Sequence, residues 1–481
     1  MAVRLAIALA FADASVAVLA LPQIVVRLHT TISHVAWVIT AYNLALIAGT
    51  LAVLPVARAL ASRRALVAGL AIFGLASLGS GAAGSLTVLI IWRCLQGAGG
   101  ALLLCASLPL IGTRNGDGAL RSWATAAAVG AAVGPAAGGL LTQIFDWRAI
   151  FFAQAPVAAL AILTALSARV AAPGELSAEP APAVPAPGPP GVAPTVVASL
   201  PGLSPGSANL GLGLISAGLI GALFIASVLL INVWQVSPLG AAAILAVIPI
   251  ATVLTERLAA SRRAAVTGRA GAFVLALGLV ALAVISHRAL VPAVLALALC
   301  GVGLGLALPA LTRVALSTRG TPVARAARTV AAREGGLVLG LVLLTPVLVS
   351  QLKDAPARAT TPIIQAILAS PLNLPEKLVL GTGLQSASTR APESQLPDIG
   401  PAFARVAVGA SPAVRADLVV LRPSIQALIQ RAATRSFRTP LLLCAALSLL
   451  ALPALSLGGR RSAQRQRRGT SGDEDARGDP A

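Results

Sequence analysis

Apolar residues in this chain come in long unbroken runs, and short basic, glycine-bearing or proline-bearing stretches separate them. Crossing the hydrocarbon core of a bilayer takes roughly 20 apolar residues as a helix. Runs of about that length occupy 3–25, 35–56, 65–83, 86–111, 123–144, 148–168, 209–233, 238–256, 270–287, 289–312, 335–352 and 439–458. The pattern predicts an all-α polytopic membrane protein with 12 transmembrane helices in two six-helix bundles. Residues 169–208 break the series with EPAPAVPAPGPPG, which builds neither a core nor a regular helix and reads as a semi-extended linker. The expected division is a first bundle at 1–168, helices 7–11 at 209–352, an insert at 353–438, helix 12 at 439–458 and a basic then acidic tail at 459–481.

The two halves share more than a helix count. ASRRALVAG (61–69) returns as ASRRAAVTG (260–268), and each copy joins the second and third spans of its half, with Arg58 and Arg257 extending the match to Arg63, Arg64, Arg262 and Arg263. A parallel internal repeat of this kind is a recurring plan of secondary transporters, whose halves face each other across a midplane site. The insert carries helix signals of its own. Thr361-Pro362 and Ser411-Pro412 each read as an N-cap followed by proline at the first helical position. After Ser411, the residues Val414, Leu418, Leu421, Ile425 and Leu428 recur at amphipathic spacing. A small helical cap over the outer vestibule is the expectation.

Composition sharpens the class. The chain is 57% hydrophobic and 11% charged, with mean hydropathy +0.88. Its net charge of +20 would point to nucleic acid in a soluble protein, but the arginines are spread over loops on one membrane face, so no nucleic-acid partner is expected. The short even-to-odd loops hold Arg58, Arg63, Arg64, Arg114, Arg121, Arg257, Arg262, Arg263, Arg269, Arg313, Arg319, Arg325, Arg328 and Arg333, against Arg27, Arg148 and Arg288 in the short odd-to-even loops. By the positive-inside rule both termini are cytoplasmic, in the cell membrane, with the insert outside. MAVRLAIALAFADA has the look of a signal sequence, yet cleavage there would remove half of the first span, so it is read as that span.

Little chemistry of other kinds is available. The only lysines are Lys353 and Lys377, so no Gly-Lys-Ser/Thr phosphate loop exists and energy comes from a gradient or a partner. Three histidines, no HExxH and no grouping of Ser, His and Asp argue against an enzyme. Cys94, Cys105, Cys300 and Cys444 all fall in spans and read as small core residues, and no metal or cofactor is implied.

Polar groups inside spans are therefore the functional candidates. Asp13 lies in the middle of span one, and burial would let its carboxyl exchange a proton as its exposure alternates. The competing reading is an acid held by a fixed basic partner or facing a wide aqueous cavity. By a rise of about 1.5 Å per residue, Arg93 sits roughly 10 Å and Asp13 roughly 15–18 Å below the outer surface, within reach of each other. The alternative for Arg93 is snorkelling to the outer headgroups. Arg93, Gln96, Gly97 and Gly100 form one stripe of span four, and Thr40, Tyr42 and Asn43 make span two locally polar. Tyr42, Asn43 and Gln96 are candidates to line the substrate cavity, although Trp37 and Tyr42 also suit an interfacial anchor. In span five Gly130, Gly134 and Gly138 repeat beside Pro135 and Gly139, so close packing and a bend are expected. Glu256 and Glu334 are placed at cytoplasmic ends beside Arg257 and Arg333, which confines coupling chemistry to the first half.

At these residues the chain resembles the major facilitator superfamily, and within it the bacterial drug:proton antiporter branch. DASVAVLALPQI (13–24) and WVITAYNLA (37–45) look like that branch's opening signature. RCLQGAGGA (93–101) is similar to the fourth-helix motif, whose arginine is associated with proton coupling. GAAVGPAAGG (130–139) matches the fifth-helix antiporter motif, and DWRAIFFAQAP (146–156) looks like the entry to helix six. The resemblance covers 1–168 well and thins afterwards, where VWQVSPLGAAAILAVIP (233–249) is suggestive of helices seven and eight. PVARALASRR (55–64) departs from the family by lacking the Gly and Asp that normally precede its basic residues.

Together these features imply a secondary transporter that exports small, mostly apolar or cationic molecules in exchange for protons. The expected roles are Asp13 as proton carrier, Arg93 as its electrostatic tuner, Asn43 and Gln96 as cavity groups and Gly130 to Gly139 as hinge and seal. A uniporter or importer of the same fold fits the sequence too. So does a non-transporting receptor or assembly protein that works through an unidentified protein partner of the outer insert.

Overall fold

The computed structural model describes residues 1–56, 60–111, 116–167, 203–259, 264–317, 321–390 and 396–474, with only the backbone of a few helical positions such as Pro135, Arg257 and those after Ser456. The described residues contain helices and no strands. The first half comprises α1 (Ala2–Arg27), α2 (Ile32–Ala52), α3 (Arg63–Ala82), α4 (Leu86–Leu110), α5 (Gly116–Ile144) and α6 (Ala149–Ser167). The second comprises α7 (Pro205–Val233), α8 (Pro238–Leu245 continuing as Val247–Ala259), α9 (Ala264–Val284), α10 (Leu290–Leu316) and α11 (Pro322–Lys353), completed after the insert by α16 (Arg438–Glu474). Helices thus stand at each of the expected runs. Among the described residues ten are long and apolar enough to cross a membrane, or 11 counting α1, which is bent by 54° between Ala2–Val18 and Ala20–Arg27. The bend has a local cause: Pro22 removes the hydrogen bond to the Val18 carbonyl and its ring crowds that oxygen.

Capping explains where the helices begin. The Ser62, Ser85, Ser204 and Ser237 side chains accept from the backbone N–H three residues on, and each opens a span. Thr321 does the same for α11, with Pro322 in its first turn, so that helix starts well before the apolar run at 335–352. In consequence Arg333 and Glu334 lie inside the bundle, not in a cytoplasmic loop, which corrects the placement of both.

The internal repeat is visible in packing. In the first half Gly97 of α4 meets the Tyr42 carbonyl of α2, and Gly99 lies against Gly69 of α3. In the second, Gly301 of α10 meets the Ile248 carbonyl of α8, and Gly303 lies against Gly271 of α9. A Cβ at any of these glycines would collide with a neighbouring backbone, so the same close crossings are built twice from the same residue type. Of the repeated loop phrase, Arg63 and Arg64 open α3, while Arg58, Arg262 and Arg263, and the side chain of Arg257, lie outside the described residues.

The insert folds as α12 (Ala355–Ala369), α13 (Leu374–Arg390), α14 (Gly400–Ala407) and α15 (Pro412–Arg435), around a small core that includes Leu380, Phe403, Leu418 and Ile425. Ser411 caps α15, whose Leu418, Leu421 and Ile425 are buried at the expected spacing. Thr361-Pro362 does not start a helix. α12 begins at Ala355 with Pro356 in its first turn, and Pro362 sits inside it. Trp234 Nε1 donates to Thr434 Oγ1 at 3.0 Å and Gln430 Nε2 to the Val233 carbonyl at 2.9 Å, tying α15 to the end of α7.

Candidate functional site

The polar side chains of the first half meet in one buried knot. Asp13 and Arg93 are both fully buried, and Arg93 Nη1 donates to Asp13 Oδ1 at 2.8 Å and Oδ2 at 2.7 Å. Asp13 Oδ1 also accepts from Gln154 Nε2 at 2.9 Å and Gln96 Nε2 at 3.2 Å. Gln96 Nε2 reaches Ser77 Oγ and Gln154 Oε1 as well, both at 2.7 Å, and Arg93 Nε donates to the Val38 carbonyl at 3.0 Å. The knot therefore ties α1, α2, α3, α4 and α6 together. Such a pair is tolerable in an apolar bundle because most of its lone pairs and protons are satisfied, Arg93 Nη2 being the buried atom left without a hydrogen bond.

Around it, the Arg93 guanidinium lies 4.3 Å from the Tyr42 ring and 5.6 Å from the Phe151 ring. Tyr42 is fully buried and its hydroxyl donates to the Ala10 carbonyl at 3.2 Å, so it is no interfacial anchor, whereas Trp37 is exposed. Asn43 is buried with neither amide atom hydrogen-bonded. Gln154 and Ser77 are the residues that sequence reasoning missed. A glutamine inside the sixth span was a signal for the first, but nothing in the pattern linked Ser77 to Asp13.

Between the halves lies a cavity of about 80 Å³, walled by α1, α2 and α5 on one side and α7, α8, α10 and α11 on the other. Its lining is mostly apolar, with Phe11 and Trp123 in edge-to-face contact at 5.5 Å. Tyr42, Asn43 and Gln96, expected on this wall, are not among its lining residues and stand behind it in this conformation. The charged residue that does line it is Arg333, whose guanidinium sits 4.1 Å from the Phe11 ring of the opposite half. Arg333 Nη1 donates to Glu334 Oε1 at 3.3 Å, and Glu334 is 2% exposed with Oε2 unpartnered. The second half thus carries its own buried ion pair, contrary to the confinement of deep charge to the first. Glu256, half-buried at the end of α8, faces Thr125 of α5.

Apolar packing joins the halves beside the cavity. Val53, Cys105, Val323 and Ala327 bring α2, α4 and α11 into one cluster. Val16, Val18, Leu21 and Ile24 of α1 share a core with α7. The helix-five glycines line the seams: Gly130 and Gly138 pack on the Ala8 and Val16 carbonyls of α1, and Gly139 on Ala242 of α8. Gly134 is buried, and α5 continues as a helix through Pro135, whose side chain lies outside the described residues. Beyond the seam, a second space of about 670 Å³ opens between the insert and the ends of α1, α5 and α7, with Gln23, Arg27, Asn232, Asp398 and Arg422 in its walls. Cys105, Cys300 and Cys444 are buried as expected, but Cys94 is exposed on α4.

Residues 4–345 match the family model of the Major Facilitator Superfamily. The chain belongs to that superfamily. This facilitator is 42% identical over 158 residues to the puromycin resistance protein pur8 of Streptomyces alboniger, a match covering 31% of each chain. It is 30% identical over 170 residues to the tetracenomycin C resistance and export protein of Streptomyces glaucescens, covering 34% of this chain and 32% of that one. The matched segment thus spans about a third of these relatives' length. Among solved structures it resembles a bacterial homolog of the human lysosomal transporter Spinster in an inward-facing, unoccupied conformation, with TM-score 0.55 and 17% identity over 94% of this chain and 96% of the other.

Proposed function

We propose that this facilitator exports small, mostly apolar molecules, cationic ones included, across the cell membrane in exchange for protons, with both termini cytoplasmic and the α12–α15 insert as an outer cap. The observation that carries the reading is the Asp13–Arg93 pair, fully enclosed on the first-half side of the central cavity. The printed names of the relatives, resistance and export proteins, agree with it.

In this mechanism a proton arriving at Asp13 cancels the charge that holds Arg93, Gln96 and Gln154 around it. α1 then loosens from α4 and α6, and the halves rock apart. The glycine seam from Gly130 to Gly139 lets α5 slide against α1 and α8 without side-chain interlocks. A drug-sized ligand occupies roughly 300–1,000 Å³, so the cavity of about 80 Å³ must widen as the halves part before it holds one. Loss of the proton to the cytoplasm restores the knot and resets the cycle.

The test is efflux of two lipophilic dyes, one cationic and one uncharged, from energised cells lacking their own pumps, normalised to folded transporter at the surface. Wild-type efflux should vanish with a protonophore and in Asp13→Asn. Efflux that persists in Asp13→Asn makes the acid structural, and efflux indifferent to the protonophore removes proton coupling.

A further inference from the structure

The central cavity has a chemically uneven wall. Phe11 and Trp123 supply aromatic surface, and the Trp123 indole is fixed by its N–H donation to Ser107 Oγ at 2.9 Å. Facing them from α11, Arg333 lies over the Phe11 ring, and Thr329 one turn away has a buried hydroxyl with no partner. No acidic side chain lines the cavity among the described residues: Glu334 is turned to Arg333 through a single 3.3 Å contact, Asp13 is held by Arg93, Gln96 and Gln154, and Glu256 faces Thr125. Charges act strongly across an apolar, water-poor wall. A guanidinium there attracts acceptors and repels cations, and its planar fork suits a carboxylate or a ring-borne oxygen better than an ammonium ion would.

From this arrangement we propose that Arg333 is a specificity residue of the central cavity, which receives planar aromatic molecules bearing an anionic or strongly accepting oxygen. The ring stacks against Phe11 and Trp123, the oxygen accepts from Arg333, and Thr329 supplies a second donor. Glu334 competes with the ligand for Arg333 and sets how much of its charge is available. The site forms fully when the halves part, since in this structure the space is about 80 Å³. The inference rests on the reading above in taking this cavity as the substrate path, and it departs from that reading in disfavouring cationic substrates there.

Binding to the purified full-length transporter in lipid nanodiscs tests it, with three probes that share one ring: 2-naphthoate, 2-naphthalenemethanol and 2-naphthylmethylammonium. The naphthoate should bind about tenfold more tightly than the ammonium probe, as expected for a charge-assisted contact to guanidinium. Arg333→Gln should abolish that preference while leaving the alcohol unchanged, and Arg333→Lys should keep part of it. Glu334→Gln should tighten naphthoate binding, a direction that a merely structural role for the pair would not produce. Tighter binding of the ammonium probe, no naphthoate binding at all, or weaker naphthoate binding in Glu334→Gln overturns the proposal. Export that proves indifferent to protonophore would sink proton coupling and leave this order of affinities standing. A reversed order with protonophore-sensitive export intact would sink this inference alone.

Discussion

The two buried ion pairs of this protein are built in opposite ways. Asp13–Arg93 is enclosed by five helices of one half, and Asp13 Oδ1 alone accepts from Arg93, Gln96 and Gln154. Glu334–Arg333 sits on neighbouring residues of one helix, meets at 3.3 Å through one contact, and leaves a carboxylate oxygen unpartnered. The first arrangement makes a charge part of the scaffold that moves only when its ionisation changes. The second leaves a cation held loosely enough to be offered to whatever enters the cavity. A buried charge is expensive in proportion to what its neighbours fail to supply, and in the proposed mechanism the same chemical pair is a latch in one half and a recognition group in the other.

Matched substitutions test that contrast, beginning with the carboxylates. Asp13→Asn keeps one acceptor but turns an amide NH2 against the donors around it and leaves Arg93 uncompensated, and should destabilise the protein by about 3–5 kcal/mol, read from denaturant or thermal unfolding in detergent. Glu334→Gln keeps an acceptor for Arg333 and should change stability by about 1 kcal/mol or less. Equal losses would break the comparison.

Packing offers a second matched pair. Gly130→Ala drives a methyl into the Ala8 carbonyl and should cost about 1–3 kcal/mol by overpacking. Gly335→Ala in α11 meets nothing within 4 Å and should stabilise the helix by up to about 1 kcal/mol. The same unfolding measurement separates them, and a tolerated Gly130→Ala would show the α1–α5 seam to be looser than its geometry.

A third pair concerns hydrogen-bonding side chains. Gln154→Leu removes a donor from Asp13 and an acceptor from Gln96 and Ser77 and should cost about 1–3 kcal/mol. Thr329→Val deletes a hydroxyl that has no partner and should leave stability unchanged or slightly raised. A loss on Thr329→Val as large as on Gln154→Leu would mean that the second-half wall is as tightly satisfied as the first-half knot.

Most of the site in the first half was legible because its residues announce themselves one at a time: a lone Asp, Arg or Gln inside an apolar run is conspicuous wherever it folds. Gln154 stood in a quoted motif and was passed over, since nothing in a linear pattern relates the sixth span to Asp13. The Arg333–Glu334 pair was misplaced for a different reason. Hydropathy begins α11 at its apolar run, whereas the Thr321 cap and Pro322 begin it a dozen residues earlier, and the helix carries its charged first turns into the bundle. The same cap rule misfired at Thr361-Pro362, where an earlier start at Ala355 left the proline inside the helix.

The amino-acid order by itself determined the membrane class, the places of the spans, the internal repeat and the separate helical insert, because bilayer thickness and helix rise turn apolar length directly into structure. Only the tertiary structure decided which polar groups meet. It closed Asp13 among donors from α4 and α6, left Tyr42, Asn43 and Gln96 off the cavity lining, and brought Arg333 across to Phe11 of the other half. The reason is physical. A buried charge must find its partners wherever packing brings them, and packing between helices is set by surfaces that no single span encodes.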